Sequence, residues 1–171
     1  MRLRIISVAA AAAALAVVQP GTAVAAFDPS TTLTFVVTSG ALTMTVPVSA
    51  ALGSGAPGTQ VGAPIGPVTV TDLRALLSAS WTVTASSTDF TNGPSTIPAT
   101  SATYTPGTVT TTGTITVTPT SVTLSNSPQA VVTGSSGVGD NTATWNPTVA
   151  VALPAGAIGG IYTGTLTHSV A

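Results

Sequence analysis

Trp81-Thr82-Val83-Thr84-Ala85-Ser86 decides how this chain folds. Apolar and hydroxyl residues alternate there with a period of two, the pattern of a strand with one face in a core and the other toward water. Threonine suits the wet face because it is β-branched and still carries a hydroxyl. The same alternation recurs in both directions from this stretch. Leu42, Met44, Val46 and Val48 share one parity, as do Ile115 and Val117. Trp145, Val149, Val151 and Leu153 form another set, and Tyr162, Leu166, His168 and Val170 close the chain in the same way. Glycine and proline punctuate these runs: 52–67 reads as the longest loop, and Thr91-Asn92-Gly93-Pro94 and 134–140 read as turns. Only 71–80 hints at a helix, of one or two turns, with Asp72 as its cap and Leu73, Leu76 and Leu77 as its apolar face. Eight or more short strands with little or no helix predict an all-β fold, a single immunoglobulin-like or related β-sandwich. Pro47, Pro119 and Pro147 are placed to blunt its edge strands.

The N-terminus reads differently. Arg2 and Arg4 precede an apolar, Ala-rich run over 5–18, then Gln19-Pro20-Gly21 and the small residues Ala23-Val24-Ala25-Ala26. This is the pattern of a secretory signal peptide, expected at 1–26 and cleaved after Ala25 or Ala26. The apolar run falls short of the roughly 20 residues that span a bilayer. The remaining 27–171 is one domain, long enough for its own core. We expect no membrane span after cleavage, because Pro154, Gly156, Gly159 and Gly160 interrupt the next best apolar stretch.

Composition excludes a great deal. The sequence holds no Lys, Glu or Cys, and beyond residue 26 its charges are Arg74 and four Asp, a formal −3. A basic footprint for nucleic acid or anionic lipid is therefore missing. Disulfides and Lys-based isopeptide crosslinks are ruled out, and the fold must rest on burial and sheet hydrogen bonds. Asn146 is followed by Pro147, so no glycosylation sequon stands. An Ala-rich leader without sequons or cysteines fits a bacterial exported protein.

Catalytic chemistry finds few residues to work with. A hydrolytic triad needs a base, and His168 is the sole histidine. It lies on the apolar parity of the last strand, so we read it as a core or rim histidine with one nitrogen satisfied; Asp89 is its one conceivable acidic partner. Asp89 before Phe90 and Asp72 before Leu73 read as turn or cap residues. Gly137-Val138-Gly139-Asp140-Asn141 offers too few oxygen ligands for a Ca²⁺ cage and reads as a solvated turn. Gly53-Ser54-Gly55 lacks the Lys of a phosphate loop. We expect no enzyme, cofactor or metal. Trp and Tyr can stack on sugar rings. A strand Trp in a sandwich is nevertheless usually core, and we expect that of Trp81 and Trp145.

From about residue 31 to 170 the chain resembles the WxL-domain family of cell-wall surface proteins of Gram-positive bacteria. The likeness runs through Leu33-Thr34-Phe35-Val36-Val37, Gly40-Ala41-Leu42-Thr43-Met44-Thr45-Val46-Pro47 and Val68-Thr69-Val70-Thr71-Asp72-Leu73-Arg74. It continues through Trp81-Thr82-Val83, Asp89-Phe90-Thr91, Ile97-Pro98-Ala99 and Gly160-Ile161-Tyr162-Thr163-Gly164-Thr165-Leu166-Thr167-His168-Ser169-Val170. The two Trp-x-Leu motifs that name the family align with Trp81-Thr82-Val83 and His168-Ser169-Val170. Val replaces Leu in both, and His replaces Trp in the second, which marks a divergent branch, actinobacterial in its Ala- and Gly-rich character. The resemblance implies a secreted protein of the cell wall or cell surface that attaches non-covalently to peptidoglycan or another cell-wall glycan. It also implies a candidate wall-binding set of Trp81, Val83, His168, Val170 and, outside the motifs, Trp145. The alternative is a structural or interaction module that assembles with itself or other surface proteins and has no glycan affinity. The residues also allow a simpler reading of the motif: Trp and Leu two apart on a strand share a face, and Val and His in their places keep that parity, as packing requires.

Overall fold

The structure, a computed structural model, describes residues 30–171, so the expected leader at 1–26 lies outside the described residues. All strands belong to the compact unit Val36–Ala171. The alternating stretch that includes Trp81 sits in the longest of them, β3 (Val68–Ser87). One edge of β3 pairs antiparallel with β9 (Gln129–Trp145). Its other edge takes β1 (Leu42–Thr45) near its start and β11 (Leu166–Val170) near its end. β7 (Thr110–Pro119) completes this five-stranded sheet on the far side of β9. A second sheet runs in the order β2 (Gln60–Pro64), β10 (Thr148–Ala152), β6 (Ala102–Thr105) and β8 (Val122–Thr123). A hairpin of β4 (Phe90–Asn92) and β5 (Ser95–Ile97) turns at Gly93-Pro94, where the sequence placed a turn. The described residues contain no α-helix, only a 3₁₀ turn at Ala99–Ser101. None of their helical structure is long and apolar enough to cross a membrane.

The fold is all-β and sandwich-like, and alternation explains its core. Val68, Val70, Trp81, Val83 and Ala85 of β3 and Val132, Ala143 and Trp145 of β9 are buried. They join Ala102 and Tyr104 of β6 and Val149 and Val151 of β10 in one apolar cluster. Each such valine contributes about 1.5–3 kcal/mol by leaving water. The intervening Thr69, Thr71, Thr82 and Thr84 face outward and are only partly covered.

Three local expectations are overturned. Segment 71–80 is strand, not helix, and Leu73, Leu76 and Leu77 stay exposed. Asp72 caps nothing: it is fully buried, opposite Asn141 in register, with its carboxylate held by Arg74. Bulges, not helical turns, absorb the leucine spacing: the β3–β9 register shifts between Asp72 and Leu76 and again before Ala79, and Ala75 takes a left-handed φ of 53°. Segment 134–140 is likewise no turn but the bulged middle of β9, with Ser136 at φ 55°. Gly134 serves close approach there, since a Cβ on it would collide with the indole of Trp81. Finally, β2 crosses the expected 52–67 loop, while Val46 and Val48 fall beyond β1 and are exposed.

Candidate functional site

Two features of this sandwich carry chemistry. The first is a polar link across the core. Trp145 ends β9, Tyr104 lies within β6 opposite Val149, and His168 lies within β11 opposite Ala85. The Trp145 indole N–H donates to the Tyr104 hydroxyl at 3.0 Å. That hydroxyl lies 3.1 Å from His168 Nε2, with the two rings edge to face at a centroid separation of 5.5 Å. An indole can only donate, so the tyrosine oxygen accepts from Trp145 and its own O–H is left to donate to His168 Nε2. With Tyr104 as donor, Nε2 accepts and the neutral imidazole carries its hydrogen on Nδ1. Burial pushes the Tyr104 hydroxyl up to about 12 and the His168 imidazole below its ordinary value, so the link is uncharged at neutral pH. His168 is a half-buried rim histidine with one nitrogen engaged, as its parity suggested. Asp89 does not join it: the Asp89 carboxylate accepts the Ala99 backbone N–H at 2.8 Å.

His168 also lines a cavity of about 740 Å³ beside the core. Its walls come from both sheets and from the segments 46–57 and 157–166, and no charged side chain reaches it. The second of these segments is tied to the β4–β5 hairpin by a bridge between Thr91 and Thr163.

The second feature is the outer face of the five-stranded sheet. Register sets Thr45, Thr69, Thr144 and Thr110 side by side across β1, β3, β9 and β7. A parallel row is formed by Thr43, Thr71, Thr142 and Thr112. Residues directly opposite in a sheet present side chains to the same face, about 4.8 Å apart from strand to strand. The hydroxyls are knitted together: Thr69 Oγ1 and Thr144 Oγ1 are 3.0 Å apart, and Thr112 bonds Thr142. Thr110 Oγ1 donates to the Thr144 carbonyl at 3.1 Å. The outer columns Thr43, Thr45, Thr110 and Thr112 are exposed. The result is a charge-free lattice of methyls and hydroxyls, two rows by four strands.

The candidate wall-binding set does not form such a surface. Trp81 and Trp145 are each 2% exposed and Val83 is fully buried, because their parity turns them into the core. His168 and Val170 are half-buried, packed on the same cluster or on the cavity wall. Two pairs are brought together: Val83 and Val170 face each other across β3 and β11, and Trp145 and His168 are joined by Tyr104, which composition alone did not single out. The threonine lattice was announced by four Thr-x-Thr pairs at 43–45, 69–71, 110–112 and 142–144, but their alignment depends on strand register. The bulged waist of β3 holds a further polar group. Arg74 donates to both Asp72 carboxylate oxygens at 2.9 and 2.8 Å and to the Ser80 carbonyl at 2.9 Å, stapling the irregular segment. That hydrogen bonding holds the Asp72 carboxyl below the usual carboxylate value. No protein-family model, curated protein or solved structure matches this chain.

Proposed function

We propose that this protein is an exported, non-catalytic module of the bacterial cell surface, related to the WxL-domain proteins, that associates non-covalently with cell-wall glycan. The threonine lattice is its contact face. The observation that carries this reading is the two registered rows of threonines spanning β1, β3, β9 and β7. Their hydroxyls donate to and accept from sugar hydroxyls, while the methyls pack on the C–H faces of the rings. Each hydrogen bond is worth only about 0.5–1.5 kcal/mol net, so retention comes from many contacts along a strand of glycan. With no charge on the lattice, binding should resist salt. Cosedimentation of the protein with purified peptidoglycan tests this: saturable binding that persists at high salt supports it, and binding no greater than that of an unrelated β-sandwich refutes it.

One observation favours a second reading, an interaction module within a surface assembly. Leu76, Leu77 and Val138 are exposed together where β3 and β9 bulge, Leu77 at 84%. Exposed apolar groups in one place are the usual mark of a protein contact. Light scattering distinguishes the two, since this reading requires mass to rise with concentration in the absence of glycan.

A further inference from the structure

We infer that the cavity beside the core is a binding site for one uncharged, lipid-like molecule, an acyl chain whose carbonyl oxygen accepts a hydrogen bond from His168 Nδ1–H. The inference is independent of the wall-binding face. Its first ground is volume and lining. A space of about 740 Å³ lies within the range of sites for organic ligands. Its deep wall is apolar, from Ile97, Leu124, Val149 and Val151, and no charged residue lines it.

The second ground is the mouth. Val46 is 43% exposed, Ile158 61% and Ile161 85%, all on the two segments that frame the cavity. Apolar side chains that ring an apolar cavity give a chain in water a continuous path inward. The third ground is the one ring donor on the wall; the other polar side chains there are the hydroxyls of Ser49, Ser54, Ser87, Tyr162, Thr163 and Thr165. Ser87 Oγ already donates to the Thr88 carbonyl, and the Tyr162 hydroxyl is engaged with Ser95 and the backbone of Ile158. His168 Nε2 is committed to Tyr104. With Nε2 accepting from Tyr104, Nδ1–H is the donor of a ring on the cavity wall. A donor without a countercharge selects a neutral carbonyl and disfavours a carboxylate, whose charge would be desolvated unpaired.

Calorimetric titration of the full protein with three probes of equal chain length tests the site: 1-monolaurin, its glyceryl ether analogue without the carbonyl, and laurate at pH 8. The expected order is saturable one-to-one binding of monolaurin, about tenfold weaker binding of the ether and weaker binding still of laurate. His168→Phe should bring monolaurin down to the affinity of the ether. Ala157→Trp places an indole at the half-buried mouth and should abolish binding of all three, with folding verified by circular dichroism. Leu153→Trp repeats that block from β10's end of the wall if Ala157→Trp does not fold. The inference is overturned if wild type shows no saturable binding. It is equally overturned if a folded mouth variant binds monolaurin as wild type does, or if laurate binds best.

Discussion

Replacing Tyr104 by Phe removes one oxygen and should cost this domain more than any other single-atom change. The hydroxyl is wholly buried, and two groups depend on it. Trp145 Nε1–H, on a residue 2% exposed, would lose its acceptor without gaining access to water. Leaving a buried donor unpaired costs about 1–3 kcal/mol. His168 Nε2 would lose its donor as well, at a lower cost of about 0.5–1.5 kcal/mol because its ring is half-buried. The sum is about 3 kcal/mol, which for a domain of this size corresponds to a fall in Tm of roughly 10 °C. The aromatic ring and its packing remain, so the loss reports the polar link and not a cavity. Urea unfolding followed by tryptophan fluorescence measures it, with an unchanged m-value as the sign that the folded state is intact. His168→Phe should cost less, since Tyr104 still accepts from Trp145, and the double variant should be less destabilised than the two single losses combined. A Tyr104→Phe protein within 0.5 kcal/mol of wild type would refute the link.

Three further outcomes follow from the same geometry. Because burial lowers the His168 pKa, its contribution to stability is fully present above its unfolded value of 6.5 and is lost as pH falls through that value toward the folded one; His168→Phe should flatten the stability–pH curve in this window. Asp72 acts in a separate and more acid window, its contribution present above 3.8 and lost as pH falls through the lower folded value. Asp72→Asn should cost about 1.5–3 kcal/mol at neutral pH and remove the acid limb, as read by denaturant titrations between pH 2 and 7. Gly134→Ala should cost about 1–3 kcal/mol, because the new methyl meets the Trp81 indole, and it should perturb near-ultraviolet dichroism while leaving the sheet signal unchanged.

What the sequence disclosed and what it hid follow from the range of the interactions. Trp81, Val83 and Ala85 announce their burial through parity alone, since the period of two is local. Leu73, Leu76 and Leu77 mislead for the same reason: their spacing imitates a helix, while the bulges that reset the strand depend on β9, more than 50 residues away. The glycines of 134–140 imitate a turn, although Gly134 is small because the Trp81 ring lies over it. The link through Tyr104 joins residues 41 and 64 positions away, and no local pattern marks it. The Thr-x-Thr pairs are plain in the sequence, yet a shift of one residue in any strand would turn that strand's threonines to the opposite face, so the lattice exists only through register. Trp81 and Val83 of the first motif-like stretch, and Trp145 outside it, turn inward, so none of the three offers a contact surface.

The proposed contact face is tested most directly by replacing the exposed columns Thr43, Thr45, Thr110 and Thr112 together by valine, which keeps shape and β-branching but removes four hydroxyls. Cosedimentation with purified peptidoglycan should show affinity reduced at least tenfold from four lost hydrogen bonds, while His168→Phe binds as wild type. Undiminished binding by a folded quadruple valine variant would contradict the account.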